Sequence, residues 1–89
     1  MRYSVAWAPE AESDLEAIVA AAALRSVILE AAQKIDGRLI SDPYVFGESR
    51  FDRTRMGFVL PLGVEYEVFD DLRHVIVYGV WRVGRRSSS

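Results

Sequence analysis

The sequence contains no cysteine, and this absence excludes several classes of function at once. Disulfide bonds, thiolate ligands for zinc and cysteine nucleophiles are all ruled out. Histidine occurs only as His74, which we interpret as an exposed structural residue beside a hairpin turn. No group of carboxylates has the helical spacing of metal ligands. The sequence therefore predicts no metal site.

Glycine-rich loops and long apolar runs are also missing. The six glycines never approach the spacing of a nucleotide-binding phosphate loop, so we expect no cofactor. The longest apolar run, residues 17–24, has eight residues, whereas a membrane span needs about 20. Residues 1–4 lack the apolar core of a signal peptide. We expect a cytoplasmic protein with no membrane partner.

An excess of basic charge is absent as well. The chain has 11 basic and 13 acidic residues, a formal net charge of −2, which excludes a strongly basic protein that coats nucleic acid. Residues 1–42 contain seven acidic and four basic residues, and residues 43–89 contain six and seven. With 89 residues, we expect one domain over residues 1–84 and a short C-terminal tail, residues 85–89.

The first half predicts a strand followed by two helices. Apolar residues alternate over residues 3–7, as in a strand. Pro9 fits the first turn of a helix, and acidic residues follow it there. A second apolar stripe, at helical spacing, ends before Asp42-Pro43. Ser26 is the predicted N-cap of this second helix, although a single helix of about 30 residues is the alternative.

The second half predicts three strands, over residues 53–58, 64–69 and 74–83. The order is therefore β-α-α-β-β-β. Such a chain forms an α+β domain, in which a helical hairpin packs on one face of a small, twisted, mainly antiparallel sheet. The other face of the sheet is expected to stay partly open.

Arginine supplies the most informative polar pattern. Strand alternation puts Arg53 and Arg55 on one sheet face. Arg50, Arg53 and Arg55 form one cluster, and Arg82, Arg85 and Arg86 form a second. On adjacent strands, the two clusters would bind a phosphate backbone or an acidic protein segment, although a solvated surface explains them equally well. An aromatic side chain among arginines can stack a base, and alternation places Trp81 and Tyr78 on opposite faces. The predicted binding residues are Arg50, Arg53, Arg55, Trp81, Arg82, Arg85 and Arg86.

The chain as a whole resembles the RelE/ParE family of type II toxin–antitoxin toxins, also known as the plasmid stabilisation protein family. Four segments carry the resemblance, and their order and spacing are more specific than any one of them. They are residues 3–15 (YSVAWAPEAESDL), residues 42–50 (DPYVFGESR), residues 61–68 (PLGVEYEV) and residues 75–82 (VIVYGVWR).

The resemblance implies a growth-inhibiting toxin that a cognate antitoxin neutralises. RelE-like members cut mRNA in the ribosome with basic residues on the open sheet face, whereas ParE-like members inhibit DNA gyrase. The weak catalytic candidates that it implies are Arg53, Arg55 and Arg82. The arginine of the third strand, however, falls on Gly63, where Glu65 and Glu67 share the same face. Endonuclease activity is therefore left open.

Two further questions stay open at this point. The alternative function is a non-toxic protein-interaction module that retains the fold without nuclease activity. Leu24, Val27 and Phe46 are candidates for a partner surface or a homodimer interface, provided that they are exposed.

Overall fold

The helices of the protein begin and end close to the predicted positions. The computed structural model describes residues 2–51 and 53–84. Helix α1 spans Pro9–Ala21, with Pro9 in its first turn and Glu10 and Glu12 beside it. Helix α2 spans Arg25–Ser41. The chain is extended at Ala22 and Leu24, so the hairpin is confirmed and the single long helix is wrong.

The predicted cap of α2 is also wrong. Leu24 occupies the N-cap position, and no side chain caps the helix there. Ser26 lies inside the first turn instead. The predicted apolar stripe of α2 is nevertheless buried at every position: Ile28, Ala31, Ala32, Ile35 and Leu39. Burial of this stripe, rather than a capping hydrogen bond, fixes where the helix packs.

The sheet has five strands, in the order β1-β5-β4-β3-β2. Their bounds are Ser4–Trp7 for β1, Glu48–Phe51 for β2, Thr54–Val59 for β3, Leu62–Phe69 for β4 and His74–Arg82 for β5. Strand β1 runs parallel to β5, and the other pairs are antiparallel. The α+β class and the mainly antiparallel sheet are thus confirmed.

Two short elements were absent from the predicted order, namely β2 and a one-turn helix α3 at Pro43–Phe46. The Asp42 carboxylate accepts hydrogen bonds from the backbone N–H groups of Tyr44 and Val45, which caps α3. Asp42 therefore both ends α2 and starts α3. The Tyr66 hydroxyl donates to the carbonyl of Pro43 and ties α3 to the sheet.

The core lies between the helices and one face of the sheet. Tyr66 is fully buried in the middle of it. The other buried members from the sheet are Leu62, Val64 and Val68 on β4 and Val75, Val77 and Val80 on β5. In the described part of the chain, no helix has the length and apolar character needed to cross a membrane.

Candidate functional site

The sheet face opposite the three helices is the candidate surface, and we call it the open face. Residues paired across neighbouring strands share a face, so the pairing identifies its members. They are Ser4 and Ala6 on β1, Glu48 on β2, Thr54, Met56 and Phe58 on β3, Gly63, Glu65, Glu67 and Phe69 on β4, and His74, Ile76, Tyr78, Gly79 and Trp81 on β5.

A β-bulge in β5 determines which of its side chains reach the open face. Glu65 pairs with Gly79 and Tyr66 pairs with Val77, which leaves Tyr78 as the extra residue. The bulge shifts the alternation by one residue. Trp81 therefore pairs with Gly63 on the open face, and Tyr78 shares that face. The prediction that these two aromatics lie on opposite faces was wrong, because strict alternation does not allow for the extra residue.

Phe58 and Trp81 form an aromatic pair across Gly63. Their ring centroids are 6.2 Å apart, and the rings meet edge to face at 83°, an arrangement that aromatic quadrupoles favour. A Cβ at Gly63 would lie 2.8 Å from atoms of both rings. The glycine therefore provides the space into which the two rings pack.

Carboxylates occupy the middle of the same face. Glu65 and Glu67 lie two residues apart on β4, and Glu48 on β2 reaches the same row because Met56 pairs with both Glu48 and Glu65. The Glu65 carboxylate lies beside Gly79. Partial burial, the hydrogen bond to Glu67 and the negative charge of Glu67 together raise the pKa of Tyr78. The centre of the open face is thus acidic.

Arg55 lies on the opposite face, against the helices. It pairs with buried Tyr66, and its guanidinium donates hydrogen bonds to the carbonyls of Tyr44 at 3.0 Å and Gly47 at 2.8 Å. The guanidinium also stacks on the Tyr44 ring, 5.0 Å from its centroid. Arg55 therefore holds the segment around α3 against the sheet, and its predicted place on an open arginine surface was wrong.

The other predicted basic residues are dispersed. Arg53 lies in the turn before β3, with its guanidinium 5.8 Å from the Phe69 ring centroid. Arg82 pairs with core residue Leu62, on the side away from Trp81. Arg50 is exposed on edge strand β2 and borders a groove with Glu48 and Phe58. Strand β4 separates β3 from β5, so the two arginine clusters are not on adjacent strands.

Comparisons with known proteins identify the fold. No protein-family model matches the chain, and no curated protein matches its sequence. Solved structures do match. A chain of the RelBE2 toxin–antitoxin complex from Mycobacterium tuberculosis superposes with a TM-score of 0.78 at 16% identity, over 92% of each chain. The chain has the RelE/ParE-like toxin fold.

Two further structures with this fold are similar to the chain. The isolated RelE toxin of E. coli gives a TM-score of 0.67 at 15% identity, covering 94% of this chain and 87% of that one. A chain of the chromosomal ParDE toxin–antitoxin system from P. aeruginosa gives 0.64 at 18% identity, covering 93% and 98%. At these identities the likeness shows the fold alone, so the chemistry must be argued from the residues of this chain.

Within the RelE/ParE-like fold, the described residues do not assemble the basic surface that the resemblance implies. Gly63 on β4 stands where the resemblance implies an arginine, and the rings of Phe58 and Trp81 fill the space beside it. No group of three or more histidine or carboxylate side chains that could hold a metal occurs among residues 2–51 and 53–84. Arg85 and Arg86 lie outside the described residues.

Sequence reasoning missed one polar cluster, at the end of the sheet near α3. The phenols of Tyr3 and Tyr44 donate to the two carboxylate oxygens of Asp70, at 2.9 and 2.7 Å. These two hydrogen bonds lower the pKa of Asp70. The bond to Asp70, with a smaller effect of burial, raises the pKa of Tyr44 to about 12. The cluster joins residues that are far apart in sequence, so no local sequence pattern predicts it.

The outer side of the helical hairpin carries a second apolar area. Leu24 is 66% and Val27 41% exposed, as a partner surface there requires. Leu15, Val19 and Leu29 line a shallow groove between α1 and α2. Phe46, the third predicted member, is instead half-buried and stacks on Tyr66 at 6.0 Å.

Proposed function

We propose that this protein is the toxin of a type II toxin–antitoxin module, that it arrests growth by binding a protein target, and that a cognate antitoxin neutralises it. The single observation that carries the toxin role is the fold, which matches toxin–antitoxin chains over more than nine-tenths of this chain. Fold alone does not fix function, so the residues of the open face decide which mechanism is favoured.

The open face favours protein binding over RNA cleavage. Cleavage by attack of a ribose 2′-hydroxyl needs cationic groups where charge develops on the phosphate. Glu65 and Glu67 occupy the middle of the open face instead, and they repel a phosphate backbone. Arg55, the half-buried candidate, donates its hydrogen bonds to backbone carbonyls. DNA gyrase, which the resemblance implies for ParE-like members, is the first target to test.

Growth of a bacterial host after tightly controlled induction tests the toxin role. We expect arrest when the chain is expressed alone and normal growth when the protein encoded beside it is co-expressed. Val77→Asp places a charge in the core and serves as the unfolded control, which must not arrest growth. Normal growth with soluble, folded wild-type protein would contradict the toxin role and favour the non-toxic interaction module.

Measurements on arrested cells separate the mechanisms. We expect intact mRNA by primer extension, and relaxed reporter plasmid if gyrase is the target. Supercoiling by purified gyrase, with and without the chain, then tests the contact directly. Arg53→Ala should arrest growth as the wild type does. Specific mRNA cuts that disappear in Arg53→Ala would overturn the protein-binding mechanism and restore the endonuclease.

A further inference from the structure

The open face carries the Phe58–Trp81 pair at one end, and Tyr78 lies beside Glu67 nearer its middle. Phe58 is 50% exposed, and Tyr78, the bulge residue of β5, is 43% exposed. Helices α1, α2 and α3 all pack on the other face, as the buried residues of β4 and β5 show. Exposed aromatic side chains grouped on one face mark interaction sites more often than chance exposure does.

The charged side chains on the open face of β4 are both acidic. Glu65 and Glu67 follow Gly63 along β4 at two-residue intervals, and no lysine or arginine lies on the open face of β4 or β5 as described. Two arginines lie at the margins of this face: the Arg53 guanidinium is over the Phe69 ring, and exposed Arg50 on β2 borders a groove with Glu48 and Phe58. Arg38, Arg55 and Arg73 have their guanidinium groups over the rings of Phe46, Tyr44 and Tyr3. An occupant that neutralises these carboxylates must therefore bring its own cations.

We propose that the open face docks a positively charged segment of the antitoxin. This inference rests on the proposed function and adds the chemistry of the partner to it. Basic side chains of the segment face Glu65 and Glu67, and an apolar side chain packs against the Phe58–Trp81 pair. Nucleic acid is disfavoured on this face, because its phosphates meet the same carboxylates.

The spacing along β4 defines the pattern that the segment needs. Residues two apart on a strand lie roughly 6.5–7 Å apart on one face. Gly63, Glu65 and Glu67 therefore present the aromatic pair, one carboxylate and a second carboxylate at that interval. An extended segment with an apolar residue and then lysine or arginine two and four positions along, in either chain direction, matches it.

Titration calorimetry with the protein encoded beside this chain tests the proposal. The variant Glu65→Lys/Glu67→Lys should bind at least tenfold more weakly than wild type. Asp14→Lys/Glu30→Lys is the matched control, because it makes the same change in charge at exposed positions of the helical hairpin, and its affinity should stay within about threefold. Glu65→Gln/Glu67→Gln should show a smaller loss and a weaker dependence of affinity on salt.

The outcomes separate this inference from the proposed function. Circular dichroism establishes that each variant is folded, and the amide variant serves if the lysine variant is not. Equal affinities of the open-face and hairpin variants, with an antitoxin that still rescues growth, would overturn the open face as the docking site and leave the toxin role intact. A neighbouring protein that neither binds nor rescues growth would overturn the proposed function, and this inference with it.

Discussion

Arg55 illustrates how the role of a residue depends on the side of the sheet that it occupies. Alternation correctly places Arg55 and Gly57 on one face of β3, but the same pattern does not tell which face the helices cover. In the structure that face carries Tyr66 and the α3 segment. The Arg55 guanidinium there donates to the carbonyls of Tyr44 and Gly47, so it holds the α3 segment against the sheet.

Replacement of Arg55 tests this role through stability. Arg55→Ala should lower the free energy of unfolding by about 1–3 kcal/mol, because two carbonyls lose a charged donor. Urea denaturation followed by circular dichroism measures the change. Arg53→Ala is the control, and as an exposed substitution it should stay within about 0.5 kcal/mol of wild type. Equal, negligible effects of both substitutions would contradict the structural role of Arg55.

Replacing Gly57 and Gly37 by alanine should change the stability of the protein in opposite directions. A Cβ at Gly57 would overlap the ring of Phe46, which stacks on Tyr66 below the sheet. Gly57→Ala should therefore cost about 1–3 kcal/mol of stability, as other overpacked sites do. Gly37 lies in α2 with no atom within 4 Å of the added Cβ. Gly37→Ala should raise stability by about 0.5–1 kcal/mol, through helix propensity.

Thermal melts of the two alanine variants test both predictions: the melting temperature should fall in Gly57→Ala and rise in Gly37→Ala. A Gly57→Ala protein that melts at or above the wild-type temperature would show that Phe46 moves aside at little cost.

At the scale of elements, Asp70 links three parts of the chain. It lies in the 3₁₀ turn Asp70–Leu72 between β4 and β5. Tyr3, just before β1, and Tyr44, in α3, both donate to its carboxylate. Tyr44 also contacts Arg55, through its ring and its carbonyl. One chain of contacts thus joins the β4–β5 turn, the start of β1 and the α3 segment.

Because of the hydrogen bond between Tyr44 and Asp70, we expect the free energy of unfolding to fall at both extremes of pH. The pKa of Asp70 is lowered on folding, so its contribution is present above the unfolded value near 3.9 and is lost as the pH falls through the folded value. The pKa of Tyr44 rises from 10.0 to about 12, so its contribution is present below pH 10 and is lost as the pH rises towards 12.

Melting temperatures of wild type and Tyr44→Phe across the pH range measure the link. The phenylalanine variant lacks one donor to Asp70, so its melting temperature should decline less steeply in both acid and alkali. Identical pH profiles of the two proteins would show that the Asp70–Tyr44 bond contributes nothing to folding.

The elements that the sequence predicted correctly are the ones with a periodic apolar pattern. The stripe of α2 and the alternation of β4 each repeat several times, so burial enforces them, and even the four residues of β1 alternate. Strand β2, with the sequence ESRF, has no apolar alternation, and α3 has only one turn. The bulge at Tyr78 depends on how β5 pairs with β4, and the sequence of β5 alone carries no information about that pairing.

At the scale of the whole molecule, the two tryptophans report on opposite faces of the sheet. The Trp7 indole N–H donates to Asp36 of α2 at 2.8 Å, on the helix side. Trp81 lies on the open face with Phe58. The sequence predicted an open face and placed Glu65 and Glu67 together, and the structure adds Glu48 of β2 beside them. Composition shows only a net charge near zero.

Ionic quenching of fluorescence tests the sign of the open face. In Trp7→Phe, Trp81 is the remaining indole, and the ratio of its caesium to iodide quenching constants at low ionic strength should exceed the ratio for free N-acetyltryptophanamide, because Glu65 and Glu67 attract cations. The difference should shrink in a triple variant that also carries Glu65→Gln and Glu67→Gln. A ratio at or below that of the free indole would contradict an acidic open face.

The position of β5 between β1 and β4 has a consequence for synthesis of the protein. Strand β5 is the last described strand, yet β1 at the start of the chain pairs only with it, and Val75, Val77 and Val80 complete the core. During translation β1 has no described strand to pair with, and α1 lacks its main contact with the sheet, until β5 leaves the ribosome. A stalled or prematurely terminated product that lacks β5 therefore has an incomplete core, and we expect it to be unfolded and inactive.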